Sequence, residues 1–139
     1  MKIVNCKKWF VARSFSFLWF KRTYVGAKFH KLPADQAMAV LAHEEGHCEL
    51  HHTERRLAAL LFPFMLQKMC HRHEMEADKY AAMRGHADGL IRFIRRCNQG
   101  PYHPNNEARI EALKKFVVPS LDPRKGSPSL ARRNRHRSN

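Results

Sequence analysis

Acidic side chains are scarce: 12 Asp and Glu stand against 26 Lys and Arg in 139 residues. The first 33 residues hold none at all, against eight Lys and Arg. From 34 to 118 the signs nearly balance, with twelve basic and eleven acidic side chains. After 119, six basic residues face Asp122 alone. The middle of the chain is close to neutral and both flanks are basic. Such flanks favour a polyanion, either nucleic acid or an anionic membrane surface, by long-range attraction. A solubilising charge with no dedicated partner reads equally well.

Glycine and proline are also sparse, at six and seven, too few for a low-complexity chain. Long hydrophobic runs are missing. The stretch Trp9–Phe20 is interrupted by Arg13 and lacks a small-residue cleavage site, which argues against a signal peptide. Leu57–Leu66 reaches about half a membrane thickness, so no transmembrane helix is expected. An interfacial role for the aromatic, basic N-terminus stays open. Cysteines stand only at 6, 48, 70 and 97, with no CxxC pair. That spacing argues against a secreted disulfide scaffold and suits a reducing compartment. A cytoplasmic location is therefore expected, with peripheral attachment to a membrane left open.

What is present is an ordinary globular balance, 44% apolar and 27% charged. It predicts one domain over 1–118, followed by a disordered basic tail over 119–139. The stretches SFSFLWF and TYVGAKF alternate and predict two short strands. Pro33 with Asp35 marks a helix start, and one helix is expected over 34–54. RRLAALLF is helical up to Pro63, which should end or kink it. A long helix should follow from Phe64 to Arg84, with Gly85 just past its end. Asp88 can cap a short helix through IRFIRRCN that stops near Gly100, and a last helix should cover Asn106–Phe116. Phe64, Met65, Leu66 and Met69 read as core. The fold class expected is α+β, a small N-terminal sheet over a helical body.

The chemistry concentrates in His43-Glu44-Glu45-Gly46-His47, an HExxH motif. On a helix, residues i and i+4 share a face, so His43 and His47 can chelate one zinc ion. Glu44 beside them can take a proton from an activated water. In a chain this rich in His and Glu, chance yields the motif about once in 25 sequences, so a third ligand must decide. His51 lies a further turn along, and a straight helix cannot bring three successive turns to one ion. A metzincin would need Gly and His where Leu50 and Thr53 stand. The segment His73-Glu74-Met75-Glu76-Ala77-Asp78 supplies a carboxylate from a second helix. Glu74 and Asp78 are i and i+4; Glu74 can ligate while Asp78 accepts a hydrogen bond from a ligand imidazole. Glu76 points elsewhere by helical spacing. His51, His52, His71, His73 and Cys70 add no ligand spacing and read as surface or packing residues, and Cys48 as structural.

These blocks, with His103-Pro104 and Arg109-Ile110-Glu111-Ala112-Leu113 after them, resemble the HtpX and CAAX-prenyl endopeptidase family of gluzincins. The resemblance covers about residues 22–115. Lacking spanning helices, the chain looks like the small soluble relatives called minigluzincins. The resemblance implies a zincin-like fold and a zinc metalloendopeptidase acting on polypeptides, with one zinc per chain. It makes His43, His47 and Glu74 the ligands, Glu44 the general base and Asp78 the residue that orients a ligand histidine. It also places His103 and Arg109 near the cleft, where a donor can stabilise an oxyanion. For Arg109 a pairing with Glu107 or Glu111 on its own helix stays open. The family's substrate-pairing strand would fall on Thr23–Phe29, where Gly26 departs from a simple strand. A different reading is a nucleic-acid- or membrane-associated protein with a mainly structural zinc site. Trp9, Phe10, Trp19, Tyr24 and the Arg-rich tail would then make the contacts.

Overall fold

The strands form where aromatic and β-branched residues alternate near the N-terminus. A computed structural model describes residues 2–59, 63–97 and 103–117. Strand β1 (Lys2–Asn5), which the sequence reading did not anticipate, lies parallel to β3 (Phe20–Val25). Strand β2 (Ala12–Phe17) runs antiparallel to β3 through a two-residue turn at Leu18 and Trp19. The order is β1-β3-β2, so β3 is central and β2 is an edge. Gly26 follows β3 where a Cβ would stand 2.4 Å from the Phe10 carbonyl oxygen and 2.7 Å from that of Lys8, so the close backbone approach there requires glycine.

Helix α1 (Ala34–Glu49) carries both motif histidines, α2 (His52–Ala59) follows, and α3 (Pro63–Ala81) carries the second acidic block. The single helix expected over 34–54 is thus broken. His51 takes a φ of 55°, a left-handed turn that stops α1 and redirects α2. Pro63 opens α3, where a missing N–H costs nothing. After Ala81 a wide turn over Ala82–His86 contains Gly85 at φ 85° and leads into α4 (Ala87–Ile94). Asp88 lies inside the first turn of α4 rather than capping it. Helix α5 (Asn106–Lys114) is capped by the Asn105 side chain, which accepts from the Glu107 N–H. The expected tail over 119–139 and the stop near Gly100 lie outside the described residues.

The core gathers where α1, the end of α3, α4 and α5 meet: Ala39, Ala42, Ala81, Leu90, Ile94 and Leu113 are buried. Small alanines let these helices approach closely. Phe64 and Met65 are instead exposed, and Leu66 and Met69 only half-buried, which corrects their reading as core. Apolar spacing at the start of α3 does not become burial, because the body of the protein packs on its other end. Gly46 sits at the crossing of α1 and α3, where a Cβ would stand 3.1 Å from Tyr80 Cβ and 3.2 Å from Ala77 Cα. This close crossing brings the two motif-bearing helices within side-chain reach of each other.

Candidate metal centre

Helix α1 puts His43 and His47 on one face, and α3 lays Glu74 against them. The His43 and His47 Nε2 atoms are 3.1 Å apart. The Glu74 carboxylate oxygens stand 3.4 Å from His43 Nε2 and 3.3 Å from His47 Nε2. All three side chains are buried, and they can hold a metal ion. A tetrahedral ion with bonds of about 2.0–2.1 Å separates its ligand atoms by roughly 3.3–3.4 Å, close to each of these separations, with Oε2 of Glu74 nearer His43 and Oε1 nearer His47.

The outer nitrogens explain why the inner ones face one another. His43 Nδ1 donates to Asp78 at 2.9 Å, which turns Nε2 toward the centre, where a metal ion can take the place of its proton. Asp78 is itself held by Arg109, whose Nε and Nη2 each donate to it at 2.7 Å. Arg109 is buried and reaches across from α5, and its Nη2 is 4.0 Å from Glu74. On His47 the outer nitrogen meets another imidazole: Nδ1 to Nδ1 of His52 at 2.8 Å. His52 Nε2 is 3.2 Å from Glu76, which Arg72 anchors at 2.8 Å. An ionised Glu76 only accepts, so His52 carries its proton on Nε2 and accepts on Nδ1. His47 must then donate from Nδ1, and its Nε2 lone pair is free for a metal.

His52 and Glu76 are therefore the residues that sequence reasoning passed over. The signal was hidden: a helix broken at His51 swings His52 back under His47. Arg56 on α2 was also missed; its Nη2 donates to Glu74 at 3.0 Å. His103 donates from Nδ1 to the other Glu74 oxygen at 2.9 Å. Glu44 is half-buried and lines a cavity of about 410 Å³ with His43, His47, Glu74, Arg56 and His103. Ala12, Arg13 and Ser14 of β2 form its opposite wall.

A second trio, His52, His73 and Glu76, also brings ligand atoms within 4.8 Å. Its two imidazoles are stacked, 4.1 Å between centroids and 5° between planes. Stacked rings point their lone pairs side by side instead of at one ion, and both His52 nitrogens already have partners. The trio therefore serves the first site rather than forming another.

The electrostatics suit a cation. Burial opposes ionisation of Glu74, yet the neighbouring His103, His43 and His47 imidazoles, His103 and His43 as hydrogen-bond donors, hold its carboxyl far below the usual range. Burial opposes charging His43, but the hydrogen bonds to Asp78 and Glu74 prevail and lift it to about 10. Burial and the neighbouring His43 hold His47 down. Burial also raises Asp78, while Arg109 and then His43 outweigh it and keep it ionised. One positive charge between the imidazoles is what the carboxylates demand.

The substrate-pairing expectation for Thr23–Phe29 needs correction. Thr23, Tyr24 and Val25 lie in the central strand, with neighbours on both sides. The edges are β1 and β2, and of these it is β2 that lines the cavity beside His43, His47 and Glu74. The Ser16 N–H donates outward to Thr53 Oγ1 at 3.3 Å, so by the two-residue repeat Ala12 and Ser14 offer backbone groups on that same side. In comparisons with protein-family models, curated proteins and solved structures, nothing matches the chain.

Proposed function

We propose that the chain is a zinc-dependent endopeptidase with a zincin-like arrangement, its ion held by His43, His47 and Glu74. The observation that carries the reading is the pair of buried Nε2 atoms 3.1 Å apart, each with its outer nitrogen engaged, facing an ionised carboxylate. Two nitrogens and one carboxylate oxygen are the donor set of catalytic zinc, which keeps a fourth position open. A zinc ion bound there supplies Lewis-acid activation of a water molecule and of the scissile carbonyl. Glu44, on the turn between the two histidines, accepts the proton of the attacking water and returns it to the leaving amine. His103 and Arg56 place donors beside Glu74, where negative charge develops on the substrate oxygen. Arg109, buried against Asp78, acts at one remove by holding the partner of His43. The peptide backbone pairs with the outward groups of Ala12 and Ser14 on the β2 edge.

The test pairs metal content with hydrolysis of an unstructured polypeptide. The wild-type chain is expected to bind about one zinc and to cleave. Glu44→Gln keeps the zinc and loses cleavage, whereas Glu74→Ala loses both. Cleavage undiminished in Glu44→Gln, or zinc content indifferent to Glu74, overturns the reading.

A further inference from the structure

The sheet is two-faced in an unusual sense. Ser16, Thr23 and Val25 point inward and are buried, while Phe15, Phe17 and Phe20 point outward and are exposed. At the tip of the hairpin Leu18 is 57% exposed and Trp19 89%. Trp9, at the other end of the hairpin, is 64% exposed. Solvent-facing strand positions ordinarily carry polar residues, and here they carry aromatics.

The tip is also strained. Leu18 has a φ of 54°, a left-handed conformation that glycine adopts freely and leucine resists. A leucine kept in such a turn, with its side chain in water, points to a use for that side chain outside the fold. The hairpin and its flanks carry only positive charge of their own, although Lys21 is paired with Glu49 of α1 at 2.7 Å. Arg13 and Arg22 share the aromatic face of the hairpin; at the end of the hairpin away from the tip, Lys7 and Lys8 precede Trp9, and Lys28 and Lys31 stand over the Trp9 ring at 5.5 and 4.6 Å. No acidic residue occurs anywhere in the first 33 positions.

We propose that this hairpin docks the protein face-down on an anionic lipid bilayer, with Leu18 and Trp19 entering the headgroup layer and Arg13, Arg22 and the lysines at the Trp9 end pairing with lipid phosphates. Charge complementarity selects the surface, and the apolar tip supplies the insertion that charge alone lacks. Trp at an interface is satisfied on both counts, with an apolar ring and a polar N–H. Among the described residues no helix is long and apolar enough to cross a membrane, so the attachment is peripheral. Single-stranded nucleic acid fits this face less well. The Arg22 guanidinium already covers the Phe20 ring at 4.3 Å, and Phe15 meets Phe20 edge to face at 72°, so these rings do not present open parallel faces to bases. Leu18 offers a base nothing to stack on. The inference does not depend on hydrolysis and stands or falls separately from it.

The experiment is co-sedimentation of the full chain with phosphatidylcholine vesicles, with and without anionic phosphatidylglycerol. A Trp9→Phe background isolates the emission of Trp19. The expected result is binding to the anionic vesicles only, weakening with salt, with a blue shift of Trp19 emission. Trp19→Ser, at a position that contributes nothing to the core, should fold normally and lose most of the binding. Lys7→Gln and Lys8→Gln should each weaken it about fivefold. Equal binding to neutral vesicles, or no binding to either, overturns the proposal. So does binding to single-stranded DNA with no vesicle binding, or a dimer that Trp19→Ser dissociates while vesicles go unbound.

Discussion

The Nδ1 of His52 lies 2.8 Å from the Nδ1 of His47, so one imidazole is oriented by another. His52 in turn is fixed by Glu76 on one side and by the stacked His73 ring on the other. Burial, with His47 and His73 alongside, keeps His52 neutral, holding it down at about 3, so it serves as an acceptor across the ordinary pH range. The two candidate ligands are thus held differently: His43 by a carboxylate backed by Arg109, His47 by a neutral ring backed by Glu76.

His52→Ala should weaken zinc binding by about 10- to 100-fold, the usual effect of losing a partner behind a metal-binding imidazole. Competition with a coloured chelator measures it. Substituting cobalt for zinc adds a visible spectrum that should shift as the His47 ring loosens. An unchanged affinity and spectrum would show that His47 needs no help from α2.

Gly46→Ala bears on the helix crossing. Alanine gains up to about 1 kcal/mol in helix propensity. Against that, its Cβ would press on Tyr80 Cβ at 3.1 Å and on the Ala77 backbone at 3.2 Å, neither of which can swing aside. Overpacking of this kind costs about 1–3 kcal/mol, so the net effect is destabilising. Zinc affinity should fall with the thermal midpoint, because widening the crossing draws Glu74 away from the histidines. A rise in the midpoint would contradict this account of Gly46.

Ala12→Pro probes the β2 edge. Its N–H belongs to the outward set, and proline is tolerated at the first residue of an edge strand. The thermal midpoint should move little. The KM for a peptide substrate should rise several-fold, in line with the loss of one backbone hydrogen bond at about 1 kcal/mol. Unchanged kinetics would remove β2 from the substrate path.

The pH dependence of the metal-free protein follows from signs. His43, raised to about 10 from 6.5, contributes stability that is complete below pH 6.5 and is lost as the pH rises through about 10. His52 and His73, lowered from 6.5 to about 3 and about 4, act in the other direction. Below pH 6.5 the unfolded chain takes up protons that these folded residues refuse, so stability falls as the pH drops toward those values. Glu74 and Asp78, both lowered, add to the loss as the pH falls below the ordinary carboxylate range. Thermal unfolding after chelation should therefore peak near pH 6.5. Bound zinc should replace the His43 proton and flatten the alkaline side.

The trio His43, His47 and Glu74 was legible in the chain because helical periodicity converts sequence spacing directly into a shared face. Asp78 followed from Glu74 by the same rule. Two strands in this region were legible through alternation, but not where the chain turns: SFSFLWF read as one strand, and Leu18 and Trp19 within it form the turn, so β3 begins at Phe20 and ends at Val25, short of Phe29. The α+β class was legible through the order of the elements. Three further things were not. The break at His51 depends on a single left-handed residue, which spacing does not reveal, and that break is what carries His52 to His47. That β3 is central depends on β1, a four-residue segment that slots beside it and leaves β2 as the edge that lines the cavity. The partner of Arg109 depends on how α5 packs on α3, and the contact with Asp78 joins positions 31 residues apart. Local spacing determines which side chains share a helix face. Which of those faces meet, and which strand keeps a free edge, is settled only when burial brings distant segments together.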